Sequence, residues 1–245
     1  MNSPQWERLL PLPGDWRERA DRRAATYPQP YQLTCDLAVF PVLASTSRLA
    51  QRTGLSQGGI GGVSLAFVTA ARYLSASYGE QRKPFPFQPG GQDFYREVAI
   101  IVVQRLLPGF AFSFPRLWVD SNDPSPLEIG WRYGFPKGPA SILMEQTGNR
   151  LSIEASDDQE HVLTARANSM VPVPASLATA LTFGEGVFPL TGQKARLRLD
   201  RGQRAALLRV EEWEGPALTD WGVKSKPRVG LWLEKAVLSL GLPHS

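Results

Sequence analysis

Proline and glycine recur along the whole of this chain, 21 and 22 times in 245 residues, and they cut it into short elements. Between the breaks lie stretches rich in β-branched and aromatic residues, which suit strands. Strands are expected at Tyr31–Val42, Val63–Tyr73, Tyr95–Leu106, Phe112–Val119, Ala140–Gln146, Arg150–Ala155, His161–Asn168, Ala195–Arg198 and Ala205–Glu212. Val98 to Val103 is apolar without a break, as in a strand covered on both faces. Gly148-Asn149 sits between two strands and reads as a hairpin turn. Helices are expected from Asp15 to about Thr26, at Ser45–Arg52, and near Pro124 or Pro126, where proline suits a first turn. Leu231–Leu240 has apolar residues at helical spacing, with a strand as the other reading. The sum is a mostly β fold, antiparallel with a few peripheral helices. It reads as a single domain over residues 1–245, of which 1–29 form a charged N-terminal extension.

Charge and motif content exclude several functions. The formal net charge is +4, from 27 basic and 23 acidic residues. Arg17, Arg19, Arg22 and Arg23 cluster, but Asp15, Glu18 and Asp21 interleave with them, which describes a solvated helical face rather than a nucleic-acid surface. No stretch approaches the roughly 18 apolar residues of a membrane span. The opening MNSPQWERLLPLPGDW lacks a basic segment followed by an apolar core, so no signal peptide is expected. Cys35 is the single cysteine, which fits a cytoplasmic location and a small packed side chain. Gln57-Gly58-Gly59-Ile60-Gly61-Gly62 misses the dinucleotide-binding spacing, with Ser64 where a third glycine belongs, and reads as a loop. Two histidines, His161 and His244, give no basis for a metal site or a Ser-His-Asp triad. No metal and no cofactor are expected.

One segment carries chemistry: Asp120 to Gly138, ending Gly130-Trp131-Arg132-Tyr133-Gly134-Phe135-Pro136-Lys137-Gly138. Trp131, Tyr133 and Phe135 are large enough to wall Lys137 from water. Desolvation disfavours an ammonium, and a neutral amine attacks a carbonyl to form a Schiff base. The plain alternative is a surface lysine in a turn.

Gly134-Phe135-Pro136-Lys137 resembles the active-site motif of the acetoacetate decarboxylase family, in which an aromatic-Pro-Lys segment carries the Schiff-base lysine. Tyr95-Arg96-Glu97 resembles that family's Tyr-x-Glu, and the 40 residues from Glu97 to Lys137 match its spacing. Leu117-Trp118-Val119-Asp120 is similar to the strand end before the lysine-bearing helix, and Pro30-Tyr31 to the start of the first strand. The likeness runs from about Tyr31 to Ile142. It implies an antiparallel β barrel or cone around an apolar cavity, with Lys137 as the imine-forming residue and Glu97 beside it. Tyr95, Trp131, Phe135 and Arg132 are then the candidate substrate-binding residues, Arg132 as a carboxylate anchor or else a surface ion-pair partner. It further implies a small-molecule carbonyl substrate, a homo-oligomer, and no nucleic-acid or membrane partner.

The chain departs from the family at four places. Gly138 stands where the decarboxylases have a second lysine. The acid of their Gly-Arg-Glu is missing beside Gly130-Trp131-Arg132. Cys35 and Asp36 stand near an expected first-strand arginine, and Ala66 or Phe67 near an expected second glutamate. Two readings follow. In the first, the protein is a Schiff-base lyase acting on a small oxo acid or related carbonyl compound by decarboxylation or aldol and dehydration chemistry. In the second, it is a non-catalytic small-molecule binding protein on the same fold, with Lys137 held by a salt bridge.

Overall fold

The computed structural model describes residues 10 and 12–244, except 54–58, 87–92, 106–109, 175–183, 188–193 and 201–202. Gln57, Gly58 and Leu106 therefore lie outside the described residues. The chain runs α1 (Trp16–Thr26), β1 (Tyr31–Ser45), α2 (Thr46–Thr53), β2 (Val63–Tyr78), β3 (Lys83–Pro84), β4 (Tyr95–Arg105) and β5 (Phe110–Asp120). Next come α3 (Ser125–Arg132), β6 (Lys137–Pro139), β7 (Ser141–Thr147), β8 (Arg150–Ser156) and β9 (His161–Val173). β10 (Gly184–Val187), β11 (Lys194–Asp200), β12 (Arg204–Glu214), α4 (Pro216–Asp220) and β13 (Val229–His244) follow.

The strands form one sheet in the order β1-β2-β4-β5-β10-β11-β13-β12-β9-β8-β7, with β3 on β2 and β6 on β5. β1 also pairs with β13, from Tyr31 opposite Leu240 to Val39 opposite Leu231, so the sheet curls round on itself into a barrel. Pairing is antiparallel throughout except at β5, whose neighbours β10 and β6 both run parallel to it. Two parallel neighbours need a crossover, and α3 is the crossover between β5 and β6.

Side chains alternate across a strand, and here both faces are covered. Ala38, Phe40, Val42, Val68, Ala70, Val98, Ile100, Val102 and Trp118 point outward into a core shared with Ile153, Leu163, Trp213, Trp221 and Trp232. The intervening residues of the same strands point into the barrel, with Tyr73, Tyr95, Phe114, Leu117 and Leu233. The unbroken apolar run in β4 is the consequence of this double burial. Phe40 and Ile100 are fully buried, which contributes roughly 1.5–3 kcal/mol each.

Leu231–Leu240 is strand, not helix, and a bulge explains the misleading spacing. Lys235 adopts a positive φ of 50° and β1 shifts register opposite it, between Cys35 and Leu37. One extra residue moves the inward face from odd positions (Leu231, Leu233) to even ones (Leu238, Leu240), and the broken alternation resembles a helical period.

α1 is only in part a solvated face. Glu18 and Arg22 pair in the open, whereas Arg19 and Arg23 close on the buried Glu128 of α3, at 2.7 and 2.8 Å. Among the described residues no helix is long and apolar enough to cross a membrane.

Candidate functional site

The approach to Lys137 is set by how α3 ends. Gly134 takes φ 87°, Phe135 N–H donates to the Gly130 carbonyl at 2.9 Å, and Gly134 N–H donates to that of Trp131 at 3.1 Å. This paired closure requires a left-handed residue, and glycine supplies it without a Cβ penalty. Pro136 then bars further helix, and the chain enters β6 with Lys137 opposite Leu117 of β5. Trp131 Nε1–H donates to the Lys137 carbonyl at 2.8 Å and clamps the backbone in place.

Lys137 thus lies inside the barrel, 7% exposed, with Glu97 8% exposed beside it. Its ammonium is 2.7 Å from Glu97 Oε2. The Tyr95 and Phe135 rings flank the ammonium, with centroids at 5.2 and 5.5 Å from Nζ. Tyr73 stacks on Tyr95 at 4.2 Å, and its hydroxyl donates a long hydrogen bond, 3.4 Å, to Glu97 Oε1. Burial, with the Glu97 charge adding to it, holds both the Tyr73 and Tyr95 phenols well above their ordinary range, so both stay protonated. The pair opens on a cavity of about 450 Å³. Among the described lining residues the charged ones are Glu97 and Lys137, and the hydroxyls belong to Thr69 and tyrosines.

Of the residues singled out from sequence, the fold brings Lys137, Glu97, Tyr95 and Phe135 together in the cavity wall. Trp131 acts from behind, on the backbone. Arg132 lies outside the cavity. One hundred degrees per residue carries it two positions round α3 from the cavity-facing Gly130, and it pairs with Asp21 at 2.6 Å on the surface. It is not placed to anchor a substrate carboxylate.

Three further residues matter and were not singled out. Tyr73 has no motif of its own, and only the β2–β4 register, which sets it opposite Tyr95, reveals it. Gly130 leaves room for the lysine stem, since a Cβ there would come within 2.5 Å of Lys137 Cδ and 2.9 Å of Cε. Gly130→Ala should therefore displace the amine by about 1 Å and cost about a hundredfold in imine formation, checked by the rate of reductive trapping. The melting temperature, read alongside, separates this from unfolding.

Arg116 explains Gly138. A Cβ at position 138 would sit 2.6 Å from both terminal nitrogens of the Arg116 guanidinium. That guanidinium is buried across the sheet from the cavity, 5.2 Å from the Trp118 ring and 3.9 Å from Asp157. Desolvation lowers its pKa to about 10. The other departures are apolar or paired elsewhere: Phe67 lines the cavity opposite Ile101, and Asp36 pairs with Arg72 at 2.6 Å. Among the described residues no cluster of three metal-ligating side chains occurs.

No family model matches the chain, and no curated protein matches it in sequence. Solved structures do match. Acetoacetate decarboxylase from Legionella pneumophila is 15% identical, with 89% of this chain and 88% of that one aligned at a TM-score of 0.63. The enduracididine biosynthesis enzyme MppR, in its complex with the condensation product of pyruvate and imidazole 4-carboxaldehyde, is 15% identical over 89% of each chain at 0.62. An acetoacetate decarboxylase-like enzyme from Sphingomonas wittichii is 16% identical, covering 87% of this chain and 91% of that one, at 0.60. At these identities the likeness is one of fold, and the fold of this chain is the acetoacetate decarboxylase-like barrel.

Proposed function

We propose that the protein is a Schiff-base-forming lyase, acting through Lys137 on an oxo acid or a related carbonyl compound. The observation that carries this reading is the buried ion pair of Lys137 and Glu97 at the end of an apolar cavity. Glu97, at 2.7 Å, is within reach to take the proton that the ammonium must lose before it attacks. The free amine adds to the substrate carbonyl carbon, the oxygen leaves as water, and a cationic imine remains on Nζ. That imine withdraws electrons from the adjacent carbon. A bond to carbon dioxide or to a second carbonyl fragment then breaks or forms, and Glu97 returns or removes the proton. Tyr73 holds the carboxylate from the side away from the lysine and keeps its position as the proton moves. Among neighbours of the same fold are acetoacetate decarboxylase and MppR in complex with a condensation product of pyruvate, which supports this class of chemistry.

The same ion pair also favours a second reading, a binding protein in which Lys137 stays charged and capped. Borohydride reduction with pyruvate and acetoacetate offered separately, read by intact mass, decides between them. A single added substrate remnant per chain supports the lyase. A folded chain that acquires no adduct from these acids or from neutral methyl ketones supports the binding protein.

A further inference from the structure

The shape of the cavity points to its occupant: we propose that the carbonyl compound taken by Lys137 carries an unbranched apolar tail of about five to ten carbons. This rests on the Schiff-base reading and goes further than it. Strand register arranges the cavity wall in three rungs. Level with Glu97 lie Leu233, Leu37 and Ala71; then Leu231, Val39, Thr69 and Ala99, the rung that Leu117 and Lys137 continue; then Pro41, Phe67 and Ile101. Apart from Lys137, Thr69 is the one polar side chain of the last two rungs. Each step is two residues, so at about 3.3 Å per residue the third rung is roughly 13 Å from that of Glu97 and roughly 7 Å from that of Lys137. With carbon–carbon bonds of about 1.5 Å in zigzag, an advance of about 1.3 Å per carbon, five to ten carbons cover these distances.

Burial gives the path its direction. Ala71 and Glu97 are buried, Val39 and Phe67 half-buried, and Pro41 exposed. Beyond them, on the same face, Leu43 and Leu65 stand opposite each other, 47% and 42% exposed. An apolar strip thus runs from the surface to the lysine, and a tailed substrate enters carbonyl first and leaves its tail toward the mouth. A three- or four-carbon oxo acid occupies a small part of about 450 Å³. The rest would hold water against walls that offer it few hydrogen bonds. Among the described lining residues Lys137 is the only cation, and Glu97 already faces it, so no second charge in the wall neutralises a carboxylate.

The test offers propanone, pentan-2-one, octan-2-one and undecan-2-one to the full chain with borohydride. The Lys137 amine adds to the carbonyl carbon, water leaves, and hydride from the borohydride reduces the C=N bond to a stable secondary amine, counted by intact mass. At about threefold per buried methylene, the half-maximal concentration should fall at least roughly a hundredfold from propanone to undecan-2-one. Val39→Asp and Phe67→Asp place a charge on the path and should cut the undecan-2-one over propanone ratio by about tenfold or more. Because the outcome is a ratio, a general loss of reactivity does not imitate it. A flat or rising series with propanone still labelled overturns the tail and spares the Schiff-base reading, as does an unchanged ratio in both variants. No labelling by any ketone overturns the tail, and if pyruvate and acetoacetate leave no adduct either, both readings fall.

Discussion

Lys137→Arg is expected to abolish the borohydride-trapped adduct and to lower turnover by a factor on the order of 10⁴ or more. Arginine keeps the positive charge that faces Glu97 at 2.7 Å in the native protein, so the buried carboxylate is not stranded. It cannot lose its proton in a protein and so offers no nucleophile. The substitution separates charge from reactivity, which alanine does not: Lys137→Ala would leave Glu97 buried without its cation, at about 3–5 kcal/mol. A folded Lys137→Arg chain, judged by an unaltered cooperative transition, that still takes a substrate-dependent adduct would move the chemistry to another amine. Lys83, Lys224, Lys226 and Lys235 are exposed, and slow labelling shared equally with wild type belongs to them.

The double variant Arg19→Ala with Arg23→Ala should lose about 3–5 kcal/mol of stability. Glu128 is nearly fully buried and takes Arg19 on one oxygen, at 2.7 Å, and Arg23 on the other, at 2.8 Å. Removing both leaves a desolvated carboxylate with no cation, which costs far more than losing an exposed pair such as Glu18–Arg22. For a chain of this length the change reads as a fall of roughly 6–20 °C in melting temperature. Adding Glu128→Met should restore most of it, because an apolar side chain needs no partner there. A double variant within about 1 kcal/mol of wild type would mean that water already reaches Glu128. The effect bears on the site, because α3 carries both Glu128 and the Gly130 that makes room for Lys137.

What could be read from sequence followed period and local motif. Gly134-Phe135-Pro136-Lys137 is a short local motif, and its resemblance to the family's aromatic-Pro-Lys segment is what raised Lys137 above a surface lysine in a turn. Tyr95 and Glu97 share one strand face, two residues apart, but it was the resemblance to the family's Tyr-x-Glu that singled them out. Arg132 was misplaced because reading it as a carboxylate anchor ignored helical phase, which sets it about 200° from Gly130. Tyr73 and Arg116 were invisible because each depends on a neighbour fixed only by pairing, Tyr95 across β2–β4 for one and Gly138 across β5–β6 for the other. In β13 a single inserted residue, Lys235, was enough to disguise a strand as a helix. The short β3 and β6, β10 and α4 have too little length to show a period at all.

The pairing of β1 with β13 also has a kinetic side. Asp36 accepts the Lys235 backbone N–H at 2.9 Å, a contact between positions 199 residues apart. Synthesis proceeds from the amino end, so β1 and β2 are made long before the strand that must lie on β1's other edge. Until then that edge is an unpaired ladder and the inward leucines of β1 face water, a state prone to association with other chains. Lys137 itself emerges early, but its enclosure waits for the last strand, and contacts so distant in sequence are slow to form. Reactivity should therefore arrive late in folding, as the seam closes.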